Sequence, residues 1–82
     1  DDIWLHARGA SGSHCVLKGA TMHSMAEIRR AAEIAAWYSG AKHSGMVPVI
    51  YTPRKYVRRD RKAVGSVIVD REKVIMVHPR QD

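Results

Sequence analysis

The sequence has little of several residues on which common protein classes depend. Its 82 residues include one cysteine and no phenylalanine. Cys15 therefore closes no disulfide within the chain, and no apolar run approaches the ~20 residues that a transmembrane helix needs. The chain also opens without a basic start, an apolar middle and a small-residue cleavage site. We expect a cytoplasmic protein without a membrane partner, and the abrupt start at Asp1 suggests a domain cut from a longer chain.

Acidic side chains are also scarce, with 8 Asp and Glu against 14 Lys and Arg and a net charge of +6. The excess is local, because residues 42–62 hold seven basic side chains and one acidic one, whereas the rest of the chain holds seven of each. A local positive excess is usually retained for an anionic partner. A solvated surface loop is the alternative interpretation of this charge run.

The apolar residues that are present favour a sheet. Val and Ile occur nine and six times against two Leu, and β-branched side chains fit a pleated surface. A chain of this length supports one modest core. We predict a single α+β domain over residues 1–82, with a mostly antiparallel sheet of about five strands packed against one main helix, about residues 25–39.

Alternation of side chains predicts a hairpin at the start of the chain. Ile3 to Arg8 alternates with period two, a turn-rich connection follows over 9–13, and His14 to Lys18 alternates again. Ser24 and Glu27 have the spacing of a capping box, which predicts a helix start there. Gly40 suits the left-handed residue that ends such a helix.

The second half of the chain predicts three further strands. Val47 to Tyr51 is β-rich, Pro53 interrupts it, and extended structure is expected to resume through Val57. Ser66–Val69 and Lys73–Val77 flank a compact polar connection. If the strand parity survives Pro53, alternate side chains beyond it share one solvated face. That face would carry Arg54, Tyr56 and Arg58.

Residues 42–62, which we call the basic stretch, are our principal predicted binding site. Guanidinium and ammonium groups neutralise phosphates, and a tyrosine ring stacks on an unpaired base. Trp4 is either a core anchor or a second stacking ring, and the anchor is the preferred interpretation. The predicted RNA contacts are Lys42, Arg54, Lys55, Tyr56, Arg58, Arg59, Arg61 and Lys62.

His6 and His14 lie on the two strands of the predicted hairpin, where they could face each other. We favour structural or hydrogen-bonding roles over direct RNA contacts, and both over metal binding or catalysis, because the histidines and Cys15 have no recognised zinc spacing. The sequence also lacks a Walker pattern, a dinucleotide fingerprint and a serine elbow. We expect no cofactor, no metal and no catalytic residue.

One motif resembles a known family. It begins with the run Asp2-Ile3-Trp4-Leu5-His6-Ala7-Arg8, continues with Gly12, Ser13 and His14, and is followed by Ala35–Ser39, Val47, Val49, Tyr51 and Thr52. This pattern resembles the NFACT-R (NFACT RNA-binding) domain, which is found in the C-terminal region of the Rqc2/NEMF/RqcH proteins and as stand-alone copies. The resemblance adds Asp2, Trp4, His6, Arg8, Ser13 and His14 as candidate functional residues.

The resemblance implies a role in ribosome-associated quality control, with tRNA or ribosomal RNA and the large ribosomal subunit as partners. Two other functions remain open. One is a protein-interaction module that docks on a ribosomal protein or a partner domain. The other is an RNA-processing enzyme that depends on His6 and His14.

Overall fold

The computed structural model describes residues 2–8, 14–41, 45–62 and 67–81. Within these ranges the chain forms one α-helix and six strands, which confirms the α+β class with one strand more than expected. The elements are β1 (Ile3–Ala7), β2 (His14–Leu17), α1 (Met25–Ala36), β3 (Val47–Pro53), β4 (Val57–Arg59), β5 (Val67–Val69) and β6 (Lys73–Val77).

Four strands form the main sheet in the order β2-β1-β3-β6, and every neighbouring pair is antiparallel. The predicted first hairpin is confirmed, with Ile3 opposite Leu17 and His6 opposite His14. The helix α1 follows β2 and packs on one face of this sheet. We call that face the inner face and the opposite one the outer face.

The core lies between α1 and the inner face. Alternate residues of each strand point inward, as the pleat requires, and the strand residues of the core include Leu5, Val49 and Val77. From the helix, Ile28 and three alanines join them, because small side chains let a helix approach a sheet closely. Met25, in the first turn of α1, is exposed.

The boundaries of the helix confirm the predicted role of Gly40 but not the predicted cap at Ser24. Ser24 precedes the helix, but it makes no side-chain cap, so the predicted capping box is absent. Its hydroxyl instead lies 3.1 Å from the backbone nitrogen of Thr21, which donates to it. At the other end the helix widens into one π-helical turn, Trp37–Ala41, and Gly40 adopts the predicted left-handed conformation with φ of +91°.

The basic stretch leaves the sheet in a way that the sequence did not predict. Pro53 ends β3, and Arg54–Tyr56 forms a 3-10 turn rather than extended chain. The parity expected across Pro53 is therefore lost, and Arg54, Tyr56 and Arg58 do not continue one strand face. β4 pairs instead with β5 in a separate two-stranded ribbon, in which Arg58 lies opposite Ile68. Among the described residues, no helix is long and apolar enough to cross a bilayer.

Candidate nucleic-acid interface

The β4–β5 ribbon carries the densest positive charge in the described parts of the chain. Arg58 and Arg59 lie on β4, and Arg61 and Lys62 lie in the turn that follows. All four side chains are exposed, and together with Asp60 and Ile68 they line an open concavity of about 660 Å³. The turn is braced by the Asp60 carboxylate, whose Oδ1 accepts a hydrogen bond from the backbone nitrogen of Lys62 at 2.9 Å.

Within the described residues, the ion pair that offsets this charge is weak. The Nη2 atom of Arg58 lies 3.7 Å from Oδ2 of Asp70, and both side chains are exposed. An exposed ion pair of this kind contributes at most about 1 kcal/mol and is screened by salt. Arg58 can therefore exchange Asp70 for a phosphate at little cost.

The ribbon is tied to the sheet through Thr52 and Asp70. Thr52 is fully buried, and its hydroxyl donates to the backbone carbonyl of Asp70 at 2.9 Å. The backbone nitrogen of Asp70 in turn donates to the carbonyl of Tyr56 at 3.1 Å. Because Thr52 lies opposite Trp4 in the register, these bonds bring the ribbon's base to the outer-face side of the sheet.

The 3-10 turn presents its basic residues differently from the ribbon. The guanidinium of Arg54 donates to the carbonyl of Val57 at 3.1 Å. The Tyr56 ring contacts two cations, with Nζ of Lys55 5.4 Å and Cζ of Arg71 5.0 Å from its centroid. Tyr56, predicted as a base-stacking ring, is thus already engaged by cation–π contacts.

Arg71 is a residue that sequence reasoning missed. It lies outside residues 42–62, in the polar connection before β6, so the charge pattern gave no reason to select it. It has φ of +55°, the left-handed conformation that non-glycine residues rarely adopt. This conformation and its contact with Tyr56 place a further cation beside the base of the ribbon.

The resemblance motif lies mainly on β1 and β2. Trp4 points to the outer face yet is only 4% exposed, which supports the anchor interpretation over a free stacking ring. The His6 ring is stacked on Trp4 at 5.8 Å between centroids, and the His14 ring lies 5.9 Å from Trp4. The motif therefore brings three rings together, two of them histidines that face each other across the hairpin.

The remaining candidates are placed as follows. The Asp2 carboxylate accepts a hydrogen bond from the backbone nitrogen of Gly19 at 3.2 Å, and its backbone carbonyl accepts one from Arg54 at 2.7 Å. Asp2 thus joins the end of the hairpin to the start of the 3-10 turn. The Arg8 guanidinium lies 3.4 Å from the Glu72 carboxylate. Lys42 and Ser13 lie outside the described residues, as does the 9–13 turn.

Two observations concern metal binding and thiol chemistry. Within the described ranges, no three His, Cys, Asp or Glu side chains are grouped so that they could hold a metal ion. Burial raises the pKa of the Cys15 thiol, which lowers the fraction of reactive thiolate at neutral pH.

These features define a class of protein: a small α+β domain, one helix on a four-stranded antiparallel sheet, from which a basic two-stranded ribbon extends. No family model matches the sequence. The Rqc2 homolog RqcH of Bacillus subtilis is 40% identical over 83 residues, covering 100% of this chain and 14% of that protein. The Rqc2 homolog RqcH of Streptococcus suis is 30% identical, covering 99% of this chain and 15% of that protein.

A solved structure has the same fold. The C-terminal part of the fibronectin/fibrinogen-binding protein from Streptococcus suis matches with a TM-score of 0.85 and 31% identity, covering 98% of this chain and 33% of that one. This chain spans about a seventh of the length of the two curated relatives. It resembles a C-terminal domain. The predicted relation to Rqc2/RqcH proteins is confirmed, whereas the NFACT-R assignment stays a prediction.

Proposed function

We propose that this chain is a non-catalytic, cytoplasmic RNA-binding module that holds tRNA or ribosomal RNA during ribosome-associated quality control. The observation that carries the proposal is the cluster of four exposed cations, Arg58, Arg59, Arg61 and Lys62, on one narrow ribbon. The similarity to Rqc2/RqcH proteins supports the ribosomal setting, with the large subunit as the wider partner. The NFACT-R resemblance supports the same role for the domain over residues 1–82.

The proposed mechanism is recognition of the RNA backbone. The ribbon's guanidinium groups form charge-assisted hydrogen bonds with phosphate oxygens and displace bound counterions. Arg54, Lys55 and Arg71 extend the positive surface towards the sheet, on the side where Asp70 meets Thr52. Such contacts position RNA without reading its sequence.

The salt dependence of tRNA affinity tests this mechanism. Neutralising about four phosphates of a single strand gives a log–log slope of about −3, so the affinity should fall steeply as salt is raised. Titration of fluorescently labelled tRNA at several salt concentrations measures the slope. An affinity that is flat across that range would exclude phosphate binding by the ribbon.

A charge-reversal pair locates the site. Arg59→Glu with Arg61→Glu should abolish tRNA binding, since four units of charge change within the ribbon. The matched control is Arg29→Glu with Arg80→Glu, which changes the net charge equally. Both residues are exposed; Arg29 lies on α1, and the backbone of Arg80 bonds to Glu33 of the same helix. Equal losses in the two variants would mean that net charge alone drives binding.

A protein-docking function is the second candidate, because the ribbon also exposes apolar side chains. Val67 is 49% and Ile68 37% exposed beside the cations, a combination that suits an acidic patch on a ribosomal protein or on a partner domain. The solved relative is itself named for protein ligands. Binding to large subunits before and after nuclease treatment separates the two, since only the docking function predicts that binding survives loss of the RNA.

A further inference from the structure

The outer face of the sheet carries a cluster of rings that the ribbon does not explain. His6 and His14 lie directly opposite each other on β1 and β2. The Trp4 ring lies 5.8 Å from the His6 ring, at an interplanar angle of 11°, and 5.9 Å from the His14 ring. The indole ring therefore lies beside both imidazoles.

Exposure rises across this cluster. Trp4 is buried, His6 is half-buried and His14 is exposed. Of the two histidines, His14 is therefore the more accessible to a ligand from solvent. Because both imidazoles contact a buried anchor, less ordering of the two rings is needed when a ligand arrives.

The surroundings of the rings are apolar although the face is open. The register places Ile50 beside His6 and Val74 beside Ile50, and Val16 lies beside Trp4. Val74 and Met76 are 46% and 45% exposed on this face, where an antiparallel sheet open to water usually carries polar side chains. Arg8 and Glu72 lie 3.4 Å apart, so their opposite charges largely cancel.

We propose that this outer face binds an unpaired nucleobase of RNA, which stacks on the rings of His6 and His14. The inference rests on the proposed function, and its occupant follows from continuity with the ribbon. The bond from Thr52, next to Trp4, to Asp70 places the ribbon's base on the same side of the sheet as the rings. A strand whose phosphates lie on the ribbon can then lay a base on the outer face.

The outer face supplies stacking rings, which the strands of the ribbon do not carry. Its nearby aromatic ring, Tyr56, is contacted by Lys55 and Arg71. Single-strand recognition combines a basic track with rings on which bases stack. The two surfaces together meet that requirement, and the outer face is the part that distinguishes an unpaired strand from a duplex, whose bases are stacked within the helix.

The test compares two RNAs of equal length, a single-stranded oligoadenylate and a fully paired duplex. His14→Ala should weaken oligoadenylate binding roughly tenfold, within the range that loss of one base–aromatic stack produces, and leave duplex binding unchanged. His14→Phe, which keeps a flat ring, should retain the affinity. His23→Ala is the matched control, because His23 is an exposed histidine in the turn before α1.

A nuclear magnetic resonance titration gives a direct readout. The ring protons of His6 and His14 should shift upfield on addition of oligoadenylate, whereas those of His23 should not. Unshifted His6 and His14 signals, or equal losses for both RNAs in His14→Ala, would overturn the inference while leaving the ribbon's salt-dependent duplex binding intact. Absence of binding to either RNA by the unaltered chain would overturn the proposed function as well.

Discussion

Thr52 and Asp70 are joined by a hydrogen bond that connects the main sheet to the basic ribbon. The Thr52 hydroxyl is fully buried and donates to the Asp70 carbonyl at 2.9 Å, with the Arg71 carbonyl 3.5 Å away. Asp70 also approaches Arg58 through its side chain. The base of the ribbon is therefore joined to the sheet by a buried side chain that is not one of the cations of the candidate interface.

Thr52→Val removes this hydrogen bond while nearly preserving the shape of the side chain. The free energy of unfolding should fall by about 1 kcal/mol, because the Asp70 carbonyl loses its donor. Affinity for tRNA should also fall, since the ribbon is less well oriented. Urea denaturation and tRNA titration measure the two effects.

Thr52→Ser is the control for that variant, because it restores the hydroxyl. It should recover tRNA affinity even if the lost methyl group lowers stability. Full tRNA affinity in Thr52→Val, measured well below its unfolding transition, would contradict a positioning role for Thr52.

Arg71 has a left-handed backbone conformation, with φ of +55°, which costs a non-glycine residue about 1–2 kcal/mol. Arg71→Gly and Arg71→Ala both remove the contact with Tyr56, but only glycine relieves the strain. The glycine variant should therefore be the more stable of the two by about 1 kcal/mol. Thermal unfolding of the pair under identical conditions checks this, and the reverse order would contradict it.

Asp60 is the acidic group within the ribbon's turn, and its Oδ1 bonds to the Lys62 backbone. Asp60→Asn keeps an oxygen acceptor while removing the negative charge, so tRNA affinity at low salt should rise a few-fold, the scale of one exposed charge interaction. Glu27→Gln, on the first turn of α1, makes the same charge change away from the ribbon. An equal rise in both variants would assign the effect to net charge.

Local patterns predicted much of the fold. Period-two alternation located the first hairpin, including His6 opposite His14, because the pleat fixes which side chains share a face. Gly40 located the end of the helix, since few other residues tolerate its φ of +91°. These features depend on neighbours in the sequence and could therefore be inferred from it.

Features that depend on competition between alternative partners could not be predicted in this way. The predicted cap at Ser24 failed because Thr21 uses the Ser24 hydroxyl. The parity expected past Pro53 failed because Arg54–Tyr56 turns and β4 pairs with β5 rather than extending the sheet. The same turn brings Tyr56 to Arg71. The charge pattern therefore indicated the cations within residues 42–62 but not Arg71.

Substitution of Leu5 measures how much stability the core provides. It is fully buried between the sheet and the helix, so Leu5→Ala should lower the free energy of unfolding by about 3 kcal/mol. A domain of this size has little stability to spare. Met76→Ala, on the exposed outer face, should cost less than about 1 kcal/mol by the same denaturation measurement. Similar costs for the two variants would contradict the assignment of the core to the inner face.

Burial raises the pKa of the Cys15 thiol on β2, so the pH dependence of stability reports on the surroundings of this residue. The folded chain holds the thiol proton to a higher pH than the unfolded chain does. The stability that this contributes is complete below the unfolded pKa and is lost as pH rises above it. Subtracting the unfolding free energies of Cys15→Ser from those of the unaltered chain should therefore give a difference that declines with rising pH.

Alkylation of the thiol provides a second measurement of the same property. Iodoacetamide should modify Cys15 more slowly in the folded chain than in urea at the same mildly alkaline pH, because only the thiolate reacts. The folded rate should also reach its plateau at a higher pH than the rate in urea. Coincident pH profiles would mean that water reaches the Cys15 sulfur freely, and that the helix does not cover β2 at this position.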